Sequence, residues 1–339
     1  MFFQIVLVLF GFESWTAWKK GELFTLRKAV KQNATQHWQN KTKETKENDK
    51  QYQDGVNSSF NIIPEIPKEA FLLIVINTIP SNFERRITLR GTWAKQKEIS
   101  VAANFSASKQ EDTVKIACFF VAGFQGKPSI DNVVEKEAAF YKDILRVSLN
   151  ESYRSIIHKI WLAFEWLASL DVKPSFVAKA DDDVYVKLPD LARWLHENAL
   201  PPAKLYAGFV HTGVKVDREP SSPWYVSEEQ YRDNYFPDYC AGPFYIVSGN
   251  VFLEVLNASK VTKSFPVEDA YLGVLVGKIG VKPRITGWNF FHWNRGLNSR
   301  ALEIEKKEQI PSGIVLGDSL SSEAIQHIHH TYTGTFNRS

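Results

Sequence analysis

The stretch Phe176-Val177-Ala178-Lys179-Ala180-Asp181-Asp182-Asp183-Val184-Tyr185-Val186 decides the fold. Its first five residues read as a strand from the inside of a sheet, and three consecutive carboxylates stand where that strand ends. In open α/β sheets, ligands gather beyond the carboxyl ends of the strands. Three adjacent acids repel one another unless a cation neutralises them. Mg²⁺ or Mn²⁺, held by carboxylate oxygens together with substrate phosphates, suits such a cluster. A solvated acidic turn is the other reading, and the stretch alone does not choose between them. An EF-hand is excluded, because the alternating ligands and the Gly and Glu positions of that loop are missing.

Working outward, Phe71–Asn77 (FLLIVIN) and Val114–Val121 (VKIACFFV) are two more apolar runs of buried-strand type. Ser81 and Glu84 are spaced as a capping box for a helix carrying Arg85, Arg86, Arg90 and Trp93. Residues 131–145 and 155–170 predict two further helices. In the second, Ile157, Ile160, Trp161, Phe164 and Ala168 recur at helical spacing. Pro189 suits the first turn of another helix. Strands alternating with helices predict an α/β fold, with a mostly parallel central sheet flanked by helices.

A second acidic pair, Glu268-Asp269, precedes the apolar run 270–279, which places it at a helix N-terminus. Dipole complementarity alone accounts for acids there, and chemistry is the competing reading. Arg86 and Arg90 lie one helical turn apart, so with Arg85 they form either a solvated face or a cationic wall for phosphates. There is no P-loop, no Gly-x-Gly-x-x-Gly, no His-Glu-x-x-His and no Gly-x-Ser-x-Gly. His327, His329 and His330 read as a solvated tail. Cys118 and Cys240 are consistent with one bridge or with two thiols.

Composition narrows the class. The 339 residues are 44% hydrophobic and 23% charged, with mean hydropathy −0.25, which excludes a disordered chain and a polytopic membrane protein. A formal charge of +3 gives no field that would make nucleic acid the partner. Met1–Phe12 (MFFQIVLVLFGF) is apolar but short of the ~20 residues that span a bilayer. It reads as a signal peptide, as a short transmembrane signal-anchor when extended to Trp18, or as a buried strand. Residues 19–66 are a polar, Lys- and Asn-rich stem that cannot build a core. That leaves 67–339 as one catalytic-size domain. Seven Asn-x-Ser/Thr sequons, at Asn33, Asn40, Asn57, Asn104, Asn150, Asn257 and Asn337, point to a lumenal or extracellular setting. Anchor, stem and glycosylated body describe a single-pass type II membrane protein.

Taken in order, four blocks resemble those of the β-1,3-galactosyltransferase family, glycosyltransferase family 31. Arg85-Arg86-Ile87-Thr88-Leu89-Arg90-Gly91-Thr92-Trp93 is similar to its RRxxIRxTW block, and Lys179–Val186 to its KxDDDxFV block. Phe236–Ser248 is similar to YPxYCxGxGYxxS, and Glu268–Gly273 to EDVYxG. Between the second strand and the acids, Glu137, Asp143, Ile144, Tyr153 and Lys159 match the family's pattern, while Ser148-Leu149, Glu151 and Ser155-Ile156-Ile157 depart from it. Pro243 stands where Gly is usual and Ala270 where Val is usual, so the chain resembles a divergent member.

The resemblance implies a GT-A fold, a Golgi membrane enzyme, and inverting transfer of galactose, N-acetylglucosamine or N-acetylgalactosamine from a UDP-sugar. UDP-galactose is the default donor. The acceptor would be the 3-hydroxyl of a glycan on protein or lipid, giving a β1-3 linkage. It implies Mn²⁺ (or Mg²⁺) held by Asp183, by Asp181 and by His292. Arg85, Arg86, Arg90, Lys179, Asp181 and Asp182 would contact the donor, Asp269 would act as base with Glu268 beside it, and Tyr239, Tyr245 and Trp288 would line sugar sites. Two other functions compete: a glycosidase using paired carboxylates, and a silent, lectin-like relative.

Overall fold

The structure is a computed structural model that describes residues 60–95, 98–102, 111–199, 203–286, 289–293 and 296–334. The strands are β1 (Phe60–Ile62), β2 (Leu72–Asn77), β3 (Glu98–Ala102), β4 (Glu111–Phe124), β5 (Ile144–Asn150), β6 (Phe176–Asp181), β7 (Tyr185–Val186), β8 (Tyr206–His211), β9 (Tyr239–Ser248), β10 (Arg284–Ile285), β11 (Phe291–His292) and β12 (Val315–Leu316). The main helices are α1 (Phe83–Gly91), α2 (Pro128–Tyr141), α3 (Ile156–Ser169), α4 (Leu188–Asn198), α5 (Gly249–Ser259), α6 (Glu268–Lys278) and α7 (Ser322–Thr333).

The large sheet runs β1-β5-β4-β2-β6-β9-β8-β10, with β3 beside β4. Strands β5, β4, β2 and β6 are mutually parallel, as the alternating pattern predicts. Beyond β6 the sheet turns mixed: β9 pairs antiparallel with both β6 and β8. The change of direction occurs next to the three acids, so that β6 runs out toward the carboxyl edge while β9 runs back from it. A small separate sheet, β11-β12-β7, begins with the strand that follows the three acids.

Strand β2 shows why the run is uniformly apolar. Leu72, Ile74 and Ile76 enter one core with Leu89, Val134 and Ile325, while Leu73 and Val75 enter the other with Ile160, Phe252 and Leu275. Side chains alternate at a period of two, so a strand covered by helices on both faces needs hydrophobic residues at every position.

Several local expectations change. The predicted helix 131–145 is α2 followed by β5. The break falls at Lys142, whose φ of 53° is left-handed and ends the helix before Ile144 begins the strand. Ser81 does not cap α1. The N-cap is Asn82, and its side chain reaches across to Asp182 instead. The sheet also begins inside the expected stem, since Phe60 pairs with Val147. The His327–His330 cluster lies on α7 rather than in a solvated tail: His329 Nδ1 is 3.0 Å from the Tyr185 hydroxyl, and Ile325 and Ile328 are buried. Cys118 and Cys240 are both free. Among the described residues no helix is long and apolar enough to cross a membrane. The N-terminal apolar run, the stem to residue 59 and the sequons at Asn33, Asn40, Asn57, Asn104 and Asn337 lie outside the described residues. Asn150 and Asn257 are exposed.

Arg86 and Arg90 do not form a wall for phosphates. Arg86 is fully buried; its guanidinium donates to both Glu137 oxygens, at 2.8 and 2.7 Å, and to the carbonyls of Ile79 and Pro80. Arg90 donates to Glu137 at 2.6 Å and in bidentate fashion to Asp143 at 2.7 and 2.8 Å, with its guanidinium over the Tyr141 ring. The spacing that suggested a cationic face is spent on tying α1 to α2 and β5. Removing one partner of a buried pair leaves an uncompensated charge, at a cost of about 3–5 kcal/mol. Glu137→Ala should therefore lower unfolding free energy by about that amount in urea titration. A loss under about 1 kcal/mol would show that Arg86 and Arg90 are held by something else.

Candidate active site

At the carboxyl edge, strand register brings Asn77 of β2 level with Asp181 of β6. The Asn77 amide donates to Asp181 Oδ1 at 2.9 Å, and Lys179 Nζ donates to the same oxygen at 2.6 Å. Asp182 points the other way and accepts from Thr78 Oγ1 at 2.6 Å and Asn82 Nδ2 at 2.9 Å. Asp183 has the Arg85 guanidinium 3.8 Å away. Its backbone carbonyl accepts the Leu320 N–H, while the Trp93 indole donates to the carbonyl of Val184. The turn is thereby clamped from two sides.

Three neighbouring acids thus have three environments. The side chain of Asp182 is 9% exposed, whereas Asp181 and Asp183 each keep 28%, so the outer two present oxygens to a ligand and the middle one braces the turn. Burial, followed by the charges of Asp181 and Asp182, pushes the Asp183 carboxyl up to about 7, against the pull of Arg85 and Lys179. A buried Asn77 Oδ1 beside Asp181 has no partner among the described residues. An oxygen-only set of one or two carboxylates, crowded enough to resist full ionisation, fits a hard divalent cation whose remaining ligands come from phosphates and water. It does not form a ready-made cage, for no group of three or more His, Cys, Asp or Glu among the described residues is arranged to hold a metal. His292 lies on β11. Its backbone carbonyl receives the Gly317 N–H, in the same turn whose Leu320 holds Asp183, so the two lie on either side of one short segment.

The second acidic pair opens α6 as expected. Glu268 is buried and accepts the Tyr245 hydroxyl. Asp269 Oδ2 accepts the Gly242 N–H at 2.8 Å, and Oδ1 accepts its neighbour's N–H, that of Ala270, at 2.9 Å. The Lys179 ammonium also donates to the carbonyl of Gly242. One residue, Gly242, therefore links the two acidic groups: its carbonyl is held by the lysine that binds Asp181, and its N–H holds Asp269. A Cβ on Gly242 would sit 3.3 Å from Asp269 Oδ2, so any side chain there presses on the carboxylate. Gly273, one turn along α6, has no room at all, because a Cβ would meet that of Tyr239 at 2.4 Å.

Burial works against the charge of Lys179, but Asp181, Glu268 and Asp269 outweigh it and hold its pKa above the usual lysine value. Burial raises Asp269, opposed by the N–H groups of Gly242 and Ala270. Burial likewise lifts Glu268 to about 7; Lys179 and Tyr245 oppose the shift and Asp269 adds to it.

The structure therefore brings Arg85, Lys179, Asp181, Asp182 and Asp183 to one side of a single site, with Glu268 and Asp269 joined to them through Gly242. Arg86 and Arg90 lie below it in the ion-pair network. Tyr245 is spent on Glu268, and Trp288 lies outside the described residues. Asn77, Thr78, Asn82 and Gly242 were not legible as site residues, since only strand register and the turn after β2 place them there.

A galactosyltransferase family model matches residues 84–286, well over half of the chain, and the chain belongs to that family. It is 29% identical over 225 residues to mouse beta-1,3-galactosyltransferase 1, covering 66% of this chain and 64% of the relative. Over 222 residues it is 28% identical to the lactosylceramide 1,3-N-acetyl-beta-D-glucosaminyltransferase A of Xenopus laevis, covering 64% of this chain and 56% of the relative. The chain thus spans less than two thirds of these relatives' length. Among solved structures, it is similar to a Pyrobaculum calidifontis mannosyltransferase in complex with GDP-Man and Mn²⁺, at TM-score 0.35 and 12% identity, over 69% of this chain and 59% of that one. A superposition of that quality adds nothing to the family assignment.

A carboxyl raised in the folded state binds more protons than in the unfolded chain between the two pKa values, so its stabilisation is present at low pH and lost as pH rises. For Glu268 the window runs from its ordinary value of 4.5 up to about 7. In metal-free buffer the stability of the wild type should fall across that window relative to Glu268→Gln, by on the order of 1–3 kcal/mol. Urea midpoints that differ by a constant between pH 5 and 8 would show that Glu268 stays ionised.

Proposed function

We propose that the chain is an inverting glycosyltransferase of GT-A type that moves a hexose from a nucleoside-diphosphate sugar to an acceptor hydroxyl. The observation that carries this reading is the Asp181–Lys179–Gly242–Asp269 connection, which sets a partly open acidic edge and a second carboxylate at a fixed spacing. The names of the relatives support a β1-3 linkage with galactose or N-acetylglucosamine as the sugar moved; UDP-galactose is the default donor, with UDP-N-acetylglucosamine or UDP-N-acetylgalactosamine as alternatives. The acceptor would be a glycan on protein or lipid.

In this reading Asp183 and Asp181 would hold Mn²⁺ or Mg²⁺, with His292 as a further candidate ligand, and Arg85 would face the donor phosphates. A divalent ion there supplies charge neutralisation for the departing nucleotide. Asp269 accepts the proton of the acceptor hydroxyl as that oxygen bonds to the anomeric carbon; the bond to the diphosphate breaks on the opposite face, and UDP leaves with the electron pair. Two peptide N–H bonds fix the carboxylate for that task, and burial keeps it basic enough to take a proton. Lys179 positions, through Gly242, and Glu268 with Tyr245 supports the lysine.

Asp269→Asn should lower sugar transfer about 10²–10⁴-fold with UDP affinity nearly unchanged. Asp183→Ala should instead abolish cation-dependent UDP binding, measured by calorimetry with and without EDTA. Full turnover in Asp269→Asn would remove it as base, and cation-independent hydrolysis of a glycoside with no transfer from any UDP-sugar would favour the paired-carboxylate glycosidase.

We also propose the type II membrane topology in the Golgi, supported by the apolar N-terminal run, the polar stem and the seven sequons. Expressed in animal cells, the chain should gain electrophoretic mobility after enzymatic removal of N-glycans. An unshifted band would count against a lumenal body.

A further inference from the structure

Thr78, the first residue after β2, is buried, and each of its polar atoms has a partner on a different element. Its N–H donates to the carbonyl of Val121 on β4 at 3.2 Å. Its carbonyl accepts Lys159 Nζ of α3 at 2.8 Å. Its hydroxyl accepts an Arg86 N–H of α1 at 3.4 Å and donates to Asp182 Oδ2 at 2.6 Å. Lys159 is itself tied to both oxygens of Glu151, at 2.9 and 2.8 Å, and Glu151 takes the N–H of Gly123 at 2.7 Å. The ends of β2 and β4 are thereby fixed to α3 through one buried ammonium, and Thr78 cannot turn without breaking bonds on three sides.

A threonine hydroxyl has one proton to give and lone pairs to receive. With the Arg86 N–H directed at the oxygen, that proton goes to the charged acceptor, Asp182, rather than to the Ile79 carbonyl 3.5 Å away, and the guanidinium polarises the bond. Thr78 is therefore the point where the buried ion pairs of Arg86 and Lys159 reach the acidic turn. The Asp182 carboxylate needs such a hold, because Asp181 and Asp183 flank it. Turned outward, it would add a third negative charge to the open edge and compete as a cation ligand. Asn82 supplies a second bond to the same oxygen at 2.9 Å, from a partly exposed position where water competes. The Thr78 bond is buried and meets no such competition.

We propose that Thr78 is a positioning residue for the cation: its hydroxyl keeps the Asp182 carboxylate turned toward the segment between β2 and α1, which leaves Asp181 and Asp183 as the pair free to take a hard divalent ion. Thr78 itself touches no ligand; it acts through Asp182, and Lys159 and Arg86 fix it for that task. The inference rests on the transferase reading in naming a divalent cation and a uridine diphosphate as what this edge binds.

The test uses the full chain and calorimetry of UDP binding over a series of Mn²⁺ concentrations, with urea midpoints measured in metal-free buffer. Thr78→Val keeps the shape of the side chain and removes the hydroxyl, so it should weaken the apparent Mn²⁺ affinity about tenfold, the factor that matches one lost partner of a buried charge. Thr78→Ser restores the hydroxyl and should return that affinity to within about threefold of the wild type. Added to Asp182→Asn, Thr78→Val should cost less than about twofold more, because a residue that acts through another has nothing left to position. Val255→Ala truncates a buried side chain on α5, which follows the end of β9 that pairs with the start of β6. It should lower the urea midpoint and leave the Mn²⁺ affinity within about twofold. The proposal is overturned if Thr78→Val binds Mn²⁺ and UDP as the wild type does, if Thr78→Ser is as weak as Thr78→Val, if the losses in the double variant add, or if Val255→Ala weakens Mn²⁺ equally. A wild-type chain with no cation-dependent UDP binding overturns the transferase reading and this inference together, whereas wild-type binding with any of the four results above overturns the inference alone.

Discussion

One buried ammonium holds the site together. Lys179 Nζ lies inside the sheet, binds Asp181 on its own strand and the Gly242 carbonyl on the neighbouring strand, and sits in the field of Glu268 and Asp269 at the start of α6. Several carboxylates cannot share a partly desolvated edge without a cation among them, and a lysine whose charge is held by three acids supplies it at a defined point. The antiparallel pairing of β6 with β9 is what lets this happen. It brings Lys179 beside Tyr245 and puts the peptide of Gly242 between the lysine and the helix that carries Asp269.

Beneath that edge, further buried charges are matched in pairs. Arg86 and Arg90 share Glu137, Arg146 meets Asp131 at 3.2 Å, and Lys159 meets Glu151 at 2.8 Å while donating to the carbonyl of Thr78. These links join α1, α2, β5, α3 and the turn after β2 just below the acids. Such pairs add little net stability over apolar packing, but they define which element meets which. They also account for Glu137, Asp143 and Lys159, whose match to the family's pattern otherwise has no visible chemistry. The departure at Glu151 is a carboxylate replaced by a longer one that still reaches its lysine.

Strands β2, β4 and β6 were legible because each has a stretch buried on both faces that reads as an apolar run. Strand β5 was not, because Arg146 and Ser148 interrupt it and it follows α2 after a single left-handed residue, so that helix and strand merged into one helical reading. The cap of α1 was assigned by spacing to Ser81, while the structure gives Asn82 a more distant partner in Asp182. The two acidic groups were legible as chemistry through their place at a strand end and a helix start. Asn77, Thr78 and Gly242 carried no such mark, since each acts through a neighbour brought in from elsewhere in the chain.

By itself the sequence determined the α/β alternation, the two carboxylate groups and the polar, sequon-rich segment ahead of the domain, since each follows from local patterns of hydrophobicity and charge. Only the tertiary structure decided which charges are open and which are spent. Arg85 and Arg86 are neighbours in sequence, yet the first faces the acids and the second is buried against Glu137; among Asp181, Asp182 and Asp183, the middle one is taken up by Thr78 and Asn82. Adjacent residues point in different directions, and what each meets depends on elements tens of residues away. Sequence supplied the charged groups, and long-range register set their roles.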